Sequence, residues 1–171
     1  MNLLNFRLLC LLGFLACYGA LGFAILYLQQ TLGYEPCPFC IFQRVVMAVL
    51  GLVFLVGVIH GPKAAGRWAY AGLAALVAVV GIGIAWRHVW LQGLPPDQVP
   101  ACGPTLDYLR EIMPINQVII TVLKGDGSCA KIDAQWLGIT LPGWVLVSFI
   151  GFTLYSLFLP LLARKPTRSF S

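Results

Sequence analysis

The chain has 171 residues, 60% of them hydrophobic and only 10% charged, against about 25% charged in an ordinary soluble domain. Its net charge of +5 comes from 11 basic and 6 acidic residues, scattered without the basic stripe of a nucleic-acid binder. Together with a mean hydropathy of +0.88, these figures exclude a soluble globule, a disordered chain, collagen and a coiled coil, and leave an integral membrane protein.

A helical span needs roughly 20 mostly apolar residues, and the backbone in hydrocarbon must satisfy its own hydrogen bonds. The first such stretch is 8–28, which carries no charge. Arg7 precedes it as in a signal peptide, but the run exceeds the ~7–15 residues of a signal core, so it reads as a retained span. Cys10 and Cys17 lie within it on one helix face and read as small packing residues. A short connection, 29–40, ends in Cys37-Pro38-Phe39-Cys40. The second span, 41–59, carries one charge, Arg44, near its start. The third, 68–86, carries none and leads into Arg-His-Val-Trp-Leu-Gln at 87–92. A long connection, 87–141, contains Cys102 and Cys129 and an apolar, β-branched segment at 115–123. That segment, after Pro114 and before Gly125, reads either as a helix on the membrane surface or as a strand or loop docked on the bundle. The fourth span is 142–162. Gly13, Gly19, Gly22, Gly72, Gly81, Gly83 and Gly151 would let the helices pack closely.

Four spans put both termini and the 61–67 connection on one side. That side carries Arg7, Lys63, Arg67, Arg164, Lys165 and Arg168, and all six acids fall on the other. The positive-inside rule then places the termini in the cytoplasm. The expectation is an all-α, single-domain membrane protein, a four-transmembrane-helix bundle with two outer loops. Cys37, Cys40, Cys102 and Cys129 all lie in the outer loops.

An outer compartment is where disulfides persist, so two inert staples are one reading of these four cysteines. A pair two residues apart closes a tiny loop, however, and constrains the unfolded chain little. Such a pair is a common redox centre. A zinc site is a third reading, although one Cys-x-x-Cys and two scattered cysteines lack the paired spacing of a zinc ribbon. The redox reading is preferred and no metal is expected. Pro38 suits the first helical position, which puts Cys37 at the N-cap and Cys40 in the first turn, where free N–H groups and the helix dipole lower a thiol pKa.

Arg44 follows Cys40 by four residues on the same helix face. A charge in a span marks a functional site by default, although a snorkelling arginine near a helix end is also ordinary. An oxidised thiol pair must pass on two electrons. The chain has no Gly-x-Gly-x-x-Gly after a strand and no Cys-x-x-Cys-His for haem. A quinone dissolved in the bilayer fits. His88, between Trp86 and Trp90, either hydrogen-bonds a quinone carbonyl or belongs to an interfacial aromatic belt. His60 is assigned no role.

Cys-Pro-Phe-Cys-Ile-Phe-Gln-Arg at 37–44, Arg-His-Val-Trp-Leu-Gln at 87–92, Cys102, Cys129-Ala130, Gln-Trp-Leu-Gly at 135–138, Pro142 and Trp144 together resemble the disulfide bond formation protein B family, bacterial inner-membrane thiol oxidases that use quinone. The resemblance runs over almost the whole chain. It implies that Cys37 and Cys40 form the disulfide beside the quinone, with Cys40 making a thiolate–quinone charge-transfer contact. It implies that Cys102 and Cys129 form the disulfide offered to a periplasmic thioredoxin-fold dithiol oxidase of the DsbA type. Arg44 and His88 match residues of the quinone site. Gln43 departs from the acidic residue of the best-known member, which removes a local ion pair.

The expected function is transfer of two electrons from that reduced oxidase to ubiquinone or menaquinone, with lipid and the quinone pool as surroundings and no nucleic acid as partner. The alternatives are a structural membrane protein with stapled loops, or an enzyme that reduces a quinone or quinone epoxide at the expense of thiols.

Overall fold

The computed structural model describes residues 5–95, 97–101, 106–125, 127–132 and 134–163. Cys102, Asp126, Asp133 and the cations Arg164, Lys165 and Arg168 lie outside the described residues.

Four helices are long and apolar enough to cross a membrane. The first is α1, Phe6–Gly22, which continues without a break as a π-helical segment, Phe23–Thr31. The others are α2, Pro38–His60; α3, Ala64–Gln92; and α7, Leu141–Leu162. Each contains one of the stretches expected from hydropathy. Only 17–33% of the most apolar stretch of each is buried. Leu12, Leu26, Val45, Leu76, Leu157 and Phe158 all point outward, and apolar side chains so exposed need lipid around them. The protein is a multi-pass membrane protein.

In sequence order α1 packs on α2, α2 on α3 and α3 on α7. On α2 the buried residues Phe39, Gln43, Met47, Leu50 and Phe54 recur every three or four positions, which is one helical face. Small residues set the close approaches. A Cβ on Gly81 of α3 would collide with the buried Phe149 ring of α7. One on Gly13 would meet Phe54, and one on Gly51 would meet Tyr18. Of the glycines expected to pack, only Gly13 and Gly81 do so; Gly19, Gly22, Gly72, Gly83 and Gly151 have open space where a side chain would stand. Gly61, in the left-handed conformation, ends α2.

Between α3 and α7 lie the short helices α4, Leu106–Ile112, α5, Ile115–Lys124, and α6, Gly127–Ala130. The segment 115–123 is therefore helical, bounded by Pro114 and Gly125. Its Val118 and Val122 are buried four residues apart, while Ile115, Ile119 and Ile120 are exposed. A hairpin follows: β1, Gln135–Trp136, pairs antiparallel with β2, Ile139–Thr140. Leu137 and Gly138 between them both have positive φ, as a two-residue type I′ turn requires. Thr140 then caps α7, its hydroxyl accepting from the Gly143 N–H at 3.4 Å.

Candidate redox site

The site is assembled at the N-terminus of α2. Pro38 occupies the first turn and Cys37 the N-cap, with extended backbone. A helix start leaves N–H groups without intrahelical partners, and the Cys37 sulfur takes one of them, accepting from the Cys40 N–H at 3.4 Å. The Cys37 and Cys40 sulfurs are 3.1 Å apart. The arrangement expected from Pro38 is present, but the helix N–H is directed at Cys37.

Two distant elements close over this pair. The helix α3 runs six residues beyond the expected end of its span, to Gln92, and carries His88 inward. His88 is 2% exposed. Its Nε2 lies 3.6 Å from the Cys37 sulfur and its Nδ1 lies 3.3 Å from the Gln43 amide nitrogen. Phe39 stacks on the ring, with centroids 5.5 Å apart. The second element is α6, which packs on α3 and brings in Cys129, 1% exposed. The Cys129 backbone hydrogen-bonds His88, and its thiol hydrogen-bonds Cys37. Cys37, Cys40, Cys129 and His88 are thus one group. The hydrogen bonds from Cys129 and Cys40, with burial behind them, push the Cys37 thiol well up from its ordinary pKa. Cys37 is the member of the pair that keeps its proton.

Two cavities meet at the cysteines. The larger lies between the first, second and fourth spans and has about 150 Å3 of internal space behind an open mouth. Its wall is mostly apolar, with Leu21, Leu28, Met47 and Val145 beside Cys40 and Arg44. The smaller is bounded by Cys37, Cys40, His88, Gln92, Ser128 and Lys131, among others. Cys40 faces both. Cys37 and His88 border only the smaller one.

Arg44 is held by the first span. Its Nη1 donates to Gln29 Oε1 at 2.6 Å and its Nη2 to the Ala24 carbonyl at 3.3 Å, both in the π-helical segment. The guanidinium is docked against the first span. Gln29 was not singled out from sequence, although an amide in an otherwise apolar run, opposite the one cation of the next span, is a usable signal. Gln43 was noted only as a departure from the family pattern, yet it is 4% exposed and is the partner of His88.

A family model described as Disulfide bond formation protein DsbB matches residues 6–159. The chain belongs to the DsbB family. Among curated relatives it is 50% identical to a "Disulfide bond formation protein B" of Xanthomonas campestris pv. campestris (strain 8004), over 97% of this chain and 96% of that one. It is 46% identical to one of Saccharophagus degradans, over 86% of this chain and 88% of that one. One of Hahella chejuensis is 47% identical over the same shares. Both cavities and every residue of the cysteine group fall within the matched DsbB region.

Proposed function

We propose that this protein, in its family's role of disulfide formation, reoxidises a periplasmic thioredoxin-fold dithiol oxidase of the DsbA type and delivers the two electrons to a membrane quinone. The observation that carries this reading is the division of the two α2 cysteines. Cys37 touches Cys129, and Cys40 opens onto an apolar cleft that also holds Arg44. A relay needs one sulfur facing each way.

Thiol–disulfide exchange proceeds by attack of a thiolate on a disulfide sulfur, with the second sulfur leaving. A partner thiolate attacks Cys102, the Cys102–Cys129 bond breaks, and Cys129 leaves. The partner's second thiol resolves the mixed disulfide and the partner departs oxidised. Cys129 then attacks Cys37, the sulfur it contacts, and the Cys37–Cys40 bond breaks with Cys40 as leaving group. The Cys102 thiolate attacks Cys129, which restores the outer disulfide and releases Cys37 as a thiol. Two electrons have moved from the partner to the Cys37/Cys40 pair.

The cleft fits a quinone ring and the start of its tail: an apolar wall, an open mouth, and one cation beside the sulfur. When bound, a quinone supplies an acceptor for two electrons and two protons. Arg44, fixed by Gln29 and Ala24, places positive charge where a quinone oxygen and the Cys40 sulfur would both feel it. His88, between Gln43 and Cys37, is placed to hold or move a proton at the Cys37 sulfur. The excess of Lys and Arg around the termini and the 61–67 connection supports a bacterial inner-membrane orientation with the termini cytoplasmic and the cysteines periplasmic.

Anaerobic mixing of the purified protein with a reduced dithiol partner and a quinone tests this. The quinone absorbance should fall in proportion to partner disulfide formed, one for one. Loss of partner thiols with no change in quinone would reject the acceptor, and no loss of partner thiols would reject the function.

A further inference from the structure

The smaller cavity has features that electron relay leaves unexplained. Cys37 Sγ, Cys40 Sγ and a His88 ring nitrogen lie within 4.8 Å of one another, and the Cys129 thiol touches Cys37. The cavity beside them has about 40 Å3 of internal space, more than the ~10–15 Å3 that one water needs. Gln92 lines it, and the Gln92 Oε1 is buried without a hydrogen-bond partner among the described residues. The chain therefore leaves room and an unsatisfied acceptor next to two sulfurs and an imidazole, with the Cys129 sulfur against Cys37.

We infer that the reduced protein binds a thiophilic divalent cation, Zn2+, through Cys37, Cys40, Cys129 and His88. Zinc takes thiolate sulfur at about 2.3 Å and imidazole nitrogen at about 2.0–2.1 Å in a tetrahedron, so its ligands sit roughly 3.5–3.8 Å from one another by that geometry. The Cys37–His88 separation of 3.6 Å is already there, the sulfurs at 3.1 Å need to part slightly, and Cys129, outside the close group of Cys37, Cys40 and His88, must swing in from its contact with Cys37. Three cysteines and one histidine form a known structural zinc set. A zinc-binding His is oriented by a hydrogen bond at its other nitrogen. Gln43 occupies that place on Nδ1, and its amide can turn to accept from an Nδ1–H, which leaves Nε2 free for the ion. A disulfide sulfur is not such a ligand, so the site exists only when Cys37, Cys40 and Cys129 are all reduced.

Binding is not a redox step: the thiols give up protons, the ion takes their lone pairs, and no electrons move. It would nonetheless arrest exchange, because each sulfur it holds is one that must attack or leave. An accumulation of reduced protein would become a zinc-held resting form. The inference rests on the geometry of the cysteine group and stands apart from the choice of quinone as acceptor.

The test is a metal titration of the full-length protein in detergent, reduced with a phosphine that does not bind zinc, against a chromophoric zinc chelator. One equivalent of Zn2+ should bind with release of protons, and Co2+ in its place should give sulfur-to-cobalt charge-transfer and tetrahedral visible bands. The oxidised wild type, which needs no substitution, should bind at least roughly 100-fold more weakly, as should reduced His88→Ala and Cys129→Ser, since even partners of ligands typically cost 10–100-fold. Cys102→Ser should bind as tightly as wild type. Equal binding by the oxidised protein overturns the inference. So does a site lost with Cys102 but kept without His88, or octahedral cobalt bands. Quinone turnover enters none of these readings, so failure here and failure of the electron-transfer function are separately visible.

Discussion

The Arg44 guanidinium donates to Gln29 at 2.6 Å and to the Ala24 carbonyl at 3.3 Å, so the one cation of the second span is tied to the π-helical end of the first. Three hydrogen-bonding residues from two spans thereby fix the position of a charge in an apolar cleft shared with Cys40. A hydrogen bond to a charged group contributes about 1.5–3 kcal/mol. Arg44→Ala should accordingly raise the apparent KM for quinone by about 10- to 100-fold on that scale and leave disulfide exchange with the partner nearly intact. Arg44→Lys should recover part of it, because lysine lacks the planar fork that engages Gln29 and Ala24 together. Gln29→Leu should give a smaller loss of the same kind. Unchanged quinone kinetics in Arg44→Ala would reduce Arg44 to a snorkelling side chain.

A second prediction concerns the two α2 thiols. Cys37 is pushed up chiefly by its hydrogen bond to Cys129, then by Cys40 and burial. A raised thiol charges only as pH climbs past the ordinary thiol range, so Cys37 stays neutral and slow towards alkylating agents at neutral pH. In the reduced protein Cys40 should be alkylated first, and Cys37 labelling should begin at a higher pH than for a free cysteine. Cys129→Ala removes the largest cause and should move that onset back down. Mass-spectrometric mapping of alkylation against pH would measure both, and Cys37 labelled at neutral pH as fast as a free cysteine would contradict the assignment.

The packing of the third and fourth spans supplies a stability prediction. Gly81 faces the fully buried Phe149 ring, and even a methyl group there would overlap it. Overpacking a filled site costs about 1–3 kcal/mol. Gly81→Val should lower the thermal midpoint in detergent, while Gly72→Val, with open space around it, should not. Equal midpoints for the two variants would mean that α3 and α7 do not meet at Gly81.

Much of this was legible beforehand, for identifiable reasons. The four spans follow from hydropathy because lipid imposes one rule on every exposed side chain. The N-cap position of Cys37 follows from Pro38, which fixes the helix start locally. The 115–123 segment was ambiguous because short apolar runs suit helix and strand alike. What decides it is tertiary: its Val118 and Val122, one helical turn apart, are buried with Leu109 against Phe42 and Met113. For His88 the sequence leaves a quinone contact and an interfacial aromatic belt equally open, because hydropathy fades after Trp86. The structure buries it because Phe39 and α6 cover that turn of α3. Neither cover is visible along the chain. The π-helical register of Phe23–Thr31 has no proline to announce it, and Gln29, the partner of Arg44, lies within it.

The order of sulfur exchange is the last expectation, and burial now bears on it. Cys129 is 1% exposed, enclosed with Phe39 and Leu91, and in contact with Cys37. A partner protein's thiolate must approach a disulfide sulfur nearly in line, and no bulky partner reaches a sulfur so enclosed. Cys37 is sheltered in the same cluster. Cys102, within Pro-Ala-Cys-Gly-Pro, lies outside the described residues, and the glycine and prolines around it disfavour regular structure. The partner should therefore be captured at Cys102. With the Cys102–Cys129 disulfide intact and the resolving cysteine of the partner replaced, attack should leave one mixed disulfide through Cys102, release Cys129 as a thiol, and run as a single non-reducing band. Cys102→Ser should abolish capture altogether. A band that maps to Cys37 or Cys40 while Cys102 remains free would reverse the order, with the inner pair meeting the partner first and Cys129 serving only to close over it.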